Sequence, residues 1–250
     1  MSKEESKAVA TKDAGVVNFP ALTEDPKALV EALKENMAGA GFSAFDLDRV
    51  KIPSGGNLTW TVPGLDGDTR TEQLVGIIMG VQNCRAYWGT DFASSGGGTP
   101  PDCSSEDAVV GIGLMGHGSE GNPTGLCANC PYSQFKSDSR QLGQACKQIK
   151  RVFLLMPDSN LPRVVPLPPT SLKGSTQYML RLSSQGLKFF QVVTWLTLVG
   201  DKNKTGIEYS KAVFGMVAKL SAEQAGAAEA MGRALKPFMR GGASADEVQE

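Results

Sequence analysis

The sequence predicts a mainly β fold with added helices (α+β), into which a cysteine-bearing loop is inserted between strands. Three observations carry this. Residues 74–88 form the strongest strand candidate, in which Gly76 and Gly80 fit bulges or tight curvature of one long bent strand. Residues 188–199 alternate strongly and run through a turn at 201–206 into a returning strand at 207–213, a terminal hairpin. Between these regions Cys103, Cys127, Cys130 and Cys146 fall within a segment rich in Gly, Ser, Pro and Asn that holds little to build a core from.

Taken in order, residues 1–24 are polar and read as a loose arm. Asp25 caps a helix that runs to about residue 37, with Pro26 in its first turn and Leu29, Val30, Leu33 and Met37 on one side. Gly39 and Gly41 end it, and 44–53 reads as a linker or short strand. Residues 58–62 alternate as a strand does. A glycine-rich break at 94–101 leads into Cys103, and 109–114 suits a short strand within the cysteine region. Residues 148–156 read as a buried strand with a basic entry, and 164–169 as an extended segment whose prolines put it at an edge. A helix follows at about 170–186, capped by Thr170 or Ser171, with Leu172, Tyr178, Met179 and Leu182 sharing a face. Residues 221–238 form an alanine-rich helix before a glycine break and an acidic tail.

This order of bent strands, one helix and a final hairpin fits a five-stranded Greek-key barrel of the OB type. A generic antiparallel α+β sheet is the alternative. The domain plan is an arm and helix at 1–42, the barrel at 43–216 with its loop at 94–147, and a helix and acidic tail at 217–250.

Of the 250 residues, 41% are hydrophobic, enough for a real core. No apolar run approaches the roughly eighteen residues of a membrane span. The first residues lack the apolar core of a secretion signal, so the chain is expected in the host cytosol, where thiols stay reduced. The net charge of −1 conceals an uneven distribution. From 136 to 188, Lys136, Arg140, Lys147, Lys150, Arg151, Arg163, Lys173, Arg181 and Lys188 face only Asp138 and Asp158. The chain ends in Asp246, Glu247 and Glu250. A basic middle suggests a polyanion-binding face, and an acidic tail suggests a protein partner; a merely solvated charged face is the alternative.

Cys127-Ala-Asn-Cys130 followed by Pro131 is a C-x2-C turn, and Cys103 and Cys146 would complete a tetrahedral zinc site with sulfurs at about 2.3 Å. A filled thiolate shell has no open position, so the expected zinc is structural rather than catalytic. Four unrelated reduced thiols, an iron–sulfur cluster or a redox disulfide remain alternatives. Cys84 reads as a buried small hydrophobe. His117, the single histidine, is a loop side chain or a substitute ligand. There is no Walker A, HExxH or GxSxG motif and no separated acidic pair for magnesium, so the protein is read as non-catalytic. The GxGxxG match at 111–116 lies inside the cysteine region, not at a strand-to-helix turn, and reads as chance.

The second signal is aromatic residues interleaved with cations: Arg85, Tyr87 and Trp88; Tyr132 and Lys136; then Arg140, Lys147, Lys150, Arg151, Lys173 and Arg181. Single-stranded nucleic acid, DNA or RNA, is held by cationic grooves with aromatics on which bases stack. Tyr87, Trp88 and Tyr132 are the expected stacking residues, the cations the expected phosphate contacts, and Phe153, Trp195 and Phe214 the expected core. A zinc-stabilised module docking to a protein partner is the competing reading.

The set Pro100-Pro-Asp-Cys103-Ser-Ser, Cys127-Ala-Asn-Cys130-Pro, Gln144-Ala-Cys146-Lys and Leu167-Pro-Pro-Thr-Ser-Leu172 resembles proteins carried by phages and mobile elements. More loosely it is similar to zinc-containing OB-fold single-stranded-DNA-binding proteins of tailed phages, over roughly residues 43–216. The resemblance implies a barrel whose zinc loop shapes a DNA groove, serving replication or recombination. The final residues Ala-Asp-Glu-Val-Gln-Glu lack the terminal hydrophobic pair of bacterial single-strand binders.

Overall fold

The computed structural model describes residues 17–89, 100–203, 206 and 208–240. The arm before residue 17, the glycine-rich break up to residue 99, part of the hairpin turn and the acidic tail lie outside them.

The long bent strand becomes β3 (Gln73–Tyr87), the spine of the molecule. One edge of β3 pairs antiparallel with β6 (Lys147–Leu155), from Ile77 opposite Leu155 to Ala86 opposite Lys147. Its other edge is shared. Residues 73–77 pair with β8 (Val192–Lys202), and residues 85–87 pair with β4 (Cys103–Ser105). Beyond these, β7 (Arg163–Leu167) follows β6, β9 (Glu208–Lys219) pairs with β8, and β5 (Ile112–Gly113) pairs with β4, making seven antiparallel strands. A separate hairpin joins β1 (Trp60–Val62) to β2 (Thr69–Thr71).

The bend in β3 has a local cause. A bulge between Ile78 and Gly80 shifts the register against β6. Gly76 is required there, because a Cβ would stand 2.5 Å from the Leu155 carbonyl oxygen.

The sheet is open, which corrects the closed barrel. Closure would join β7 to β9, but each of those edges already has another partner. At β7, Val50 N–H donates to Val164 O at 2.9 Å and Val164 N–H to Asp48 O at 2.7 Å. At β9, Ala212 N–H donates to Ser171 Oγ at 3.0 Å, in the first turn of α2 (Pro169–Ser184). A buried backbone N–H must find an acceptor, and the helix supplies it where a strand would have.

Two apolar clusters hold the faces. On one face, α2 and the β1–β2 hairpin cover Leu74, Ile78, Val152, Leu154 and Leu196, with Tyr178 donating to or accepting from Thr194 Oγ1 at 2.8 Å. On the other, α1 (Pro26–Asn36) and α3 (Ala222–Leu235) cover Ile77, Met79, Phe153, Leu155 and Val193. Each fully buried Leu or Ile contributes about 1.5–3 kcal/mol. Asp25 accepts from Lys27 N–H and caps α1, and Ser221 with Gln224 forms a capping box on α3. Among the described residues no helix is long and apolar enough to cross a membrane.

Candidate metal centre and nucleic-acid groove

The cysteine region is built on the far end of β3. Register places Cys103 opposite Tyr87 and Ser105 opposite Arg85, so the alternation of the strand puts Arg85, Tyr87, Cys103 and Ser105 on one sheet face. Cys127–Asn129 and Pro131–Ser133 are single 3₁₀ turns that present Cys127 and Cys130. Ser133 Oγ ties them by donating to the carbonyls of Cys127 and Cys130, the latter at 2.8 Å. Cys146 is brought in by its own N–H, which donates to Tyr132 O at 2.8 Å, just before β6 begins.

All four cysteines are buried and free, and all four line one small cavity together with Arg85, Tyr87, Gly111, Met115, Tyr132 and Ser133. Its volume, about 10 Å³, is that of roughly one water-sized sphere. Among the described residues no three His, Cys, Asp or Glu side chains are gathered tightly enough to hold a metal ion as they stand. Neutral thiols gain nothing by closing to ligand distance, whereas an ion that takes their protons draws them in.

Burial favours the neutral thiols, and nearby donors act against it. Backbone N–H groups of Met115 and Ile112 donate to Cys103, opposing the burial that raises its pKa. Burial pushes Cys146 up to about 12, against the pull of the Arg85 guanidinium that hydrogen-bonds it. Gly111 is a cradle: a Cβ there would sit 3.2 Å from Cys103 Sγ. Gly113 and Gly125 have φ of +110° and +68° and pack against Asp102 and His117 backbone, so the glycines of this segment serve tight loop packing rather than a phosphate. His117 is exposed and does not line the cavity. Cys84 is fully buried on the opposite sheet face with Ala86 and Ile149.

Beside the cysteine centre, on the same sheet face, lies an open groove of about 590 Å³ between the strands and α2. It is lined by Asn83 from β3, Gln148 and Lys150 from β6, and Leu172, Lys173, Thr176 and Gln177 from α2. Lys150 Nζ donates to Thr176 Oγ1 at 3.1 Å, so its charge meets a hydroxyl rather than a carboxylate, and burial lowers its pKa. Arg181 continues the exposed stripe of Lys173 and Gln177 at helical spacing.

Of the expected nucleic-acid residues, Lys150 and Lys173 line the groove and Arg181 extends it. Lys136 and Arg140 are exposed in the loop before Cys146, where the Gly143 and Leu142 N–H groups, and after them Lys147 and Arg140, hold the Asp138 carboxyl below the usual range. The others sit outside the groove. Arg151 is 0% exposed, points to the opposite face, donates to Gln82 Oε1 at 3.1 Å and lies 5.2 Å over the Phe45 ring. Trp88 is on that opposite face too, packed on Cys84, Ala86 and Ile149. Arg85 turns inward to the cysteines. Tyr87 and Tyr132 stack on each other at 4.2 Å and 8°, over Cys103 and Cys130, so each has given one ring face to the other. Burial and the hydrogen bond to Tyr132 push Tyr87 up to about 12.

Sequence reasoning missed Asn83, Gln148, Thr176 and Gln177. The available signal was period-two spacing in the strands, Asn83 with Arg85 and Gln148 with Lys150, facing Lys173 and Gln177 four apart on the helix. No protein-family model, curated protein or solved structure matches the chain.

Proposed function

We propose that this chain is a non-catalytic single-stranded nucleic-acid-binding protein, built on an OB-type scaffold and stapled by a structural zinc ion at Cys103, Cys127, Cys130 and Cys146. The observation that carries it is the groove: two lysines with no carboxylate partner among the described residues, and three amides, on one open surface of strand and helix. Phosphates suit the lysines, and the amides of Asn83, Gln148 and Gln177 suit base edges left free in a single strand.

The strand order supports the scaffold reading. From β3 through β6 and β7 in one direction, and through β8 and β9 in the other, with a helix between β7 and β8, the order is compatible with an OB-type path left open at one seam. In that reading the cysteine segment is the loop between the first two strands, one of the two loops by which such folds hold oligonucleotides. We place that work in replication or recombination on the strength of the phage and mobile-element resemblance alone.

The test is a fluorescence titration with single- and double-stranded oligonucleotides at two salt concentrations. Single strands bind, with log affinity falling on log salt by about 0.7 for each phosphate held. Lys150→Met and Lys173→Met each flatten that slope by about one contact. A salt-independent affinity, or equal binding of duplex, sinks the proposal.

A second reading has its own observation. Val109, Val110, Ile112, Leu114, Phe135 and Leu142 are all exposed on the cysteine segment. Such a concentration suits docking to a protein, and stoichiometric complex formation without oligonucleotide binding would favour it.

A further inference from the structure

We propose that Arg85 is the built-in counter-cation of the four-cysteine centre, donating N–H to the Cys146 sulfur when a metal ion has displaced the thiol protons. This rests on the zinc site proposed above. Arg85 lines the cavity between the cysteines, and its Nη1 is buried without a hydrogen-bond partner. Its neighbours across the sheet are Ser105 on β4 and Gln148 on β6, neither of them acidic. The nearby acids are engaged elsewhere: Asp102 Oδ2 accepts from Gly89 N–H at 2.6 Å, and Asp107 Oδ1 from Ser105 Oγ and the N–H groups of Val109 and Val110. Among the described residues Arg85 has no ion pair with a carboxylate.

A guanidinium held inward without a counter-charge is costly, because burial without pairing removes its hydration and returns nothing. A divalent ion in four thiolates supplies the missing anion, since the centre then carries two net negative charges. Each ligating thiol passes its proton to solvent as the ion binds, and no electrons move. The planar fork of arginine suits a sulfur already shared with a metal, and it tunes how strongly that sulfur donates. Charge balance therefore runs both ways: the cation favours the thiolates, and the thiolates favour leaving the cation buried.

The experiment compares the full chain with Arg85→Met and Arg85→Lys. Zinc affinity is read by competition with a chromophoric chelator, and the sulfur-to-metal charge-transfer band is read after cobalt(II) replacement. Arg85→Met should lose about 10–100-fold in zinc affinity, the usual range for residues that orient or polarise a ligand. Its cobalt band should move to lower energy, because the sulfur has lost its hydrogen bond. Arg85→Lys, which keeps the charge but not the fork, should fall between the two in both readouts and carries the comparison if the methionine variant does not fold. In the zinc-loaded Lys variant the salt slope for oligonucleotide should match wild type, since Arg85 faces the metal and not phosphate. Unchanged zinc affinity and an unchanged cobalt band in the variants overturn the inference while leaving the zinc site standing. A wild-type chain that binds neither ion overturns both.

Discussion

The sheet and the cysteine segment treat their apolar residues in opposite ways. In β3, β6 and β8 the large side chains Leu74, Ile77, Ile78, Leu154 and Leu196 are fully buried under helices. In the cysteine segment the interior holds sulfur and most large apolar chains face out, with Ile112 67% and Phe135 70% exposed. One region is therefore stabilised by water leaving apolar surface. The other has, among the described residues, four short pieces of regular structure around a cavity and a small buried apolar cluster. The contrast supports the proposed zinc site, since ligand bonds would supply what an apolar core of that size does not.

The largest way to break this comparison is Cys130→Ser. It should open residues 103–146 to amide hydrogen exchange and lower bound zinc, while amides of β6 and β8 keep their protection; structural zinc is worth about 10–16 kcal/mol to small zinc modules. Uniform loss of protection across both regions would show that the segment is not a separate unit. Next in size is Leu196→Ala, which leaves a cavity in the core and should cost about 2–5 kcal/mol in denaturant unfolding without changing zinc affinity. A coupled fall in zinc affinity would mean that the sheet holds the cysteines in place more than the ion does.

The smallest effect sharpens the junction between the regions. Tyr87 ionises at about 12 instead of 10.0, chiefly because it is buried and then because it hydrogen-bonds Tyr132. Its neutral form is the one the fold favours, so its contribution is present below pH 10 and is lost as pH rises toward 12. Phenolate absorbance of wild type minus Tyr87→Phe should show this late titration. A Tyr87 that titrates near 10 would mean that the tyrosine pair is open to solvent.

Legibility varied with the range of the interaction. The helix after Asp25, the long strand with Gly76 and Gly80, the helix near 170–186 and the terminal hairpin were readable because capping, turn chemistry and side-chain period act within a few residues. The strand at 103–105 was not, because its three residues carry no period and form a strand only through pairing with Arg85, Ala86 and Tyr87. The returning strand runs on to Lys219, well past its expected end, because β8 supplies partners for its whole length.

The proposed binding residues divide in the same way. Composition alone marked the segment from 136 to 188 as basic, but a period of two sends neighbouring cations to opposite faces. Lys150 reaches the groove, and Arg151, the next residue, is enclosed against Phe45 and Gln82.

By itself the sequence determined where most strands and helices lie and that the segment from 136 to 188 is basic. Those follow from residue type and near-neighbour spacing. Tertiary structure alone decided that the sheet stays open, that Arg85 faces sulfur, that the two tyrosines stack on each other, and that amides from two strands meet lysines from a helix. Each of those depends on which strand edge meets which partner, and that is set by contacts between residues far apart in the chain.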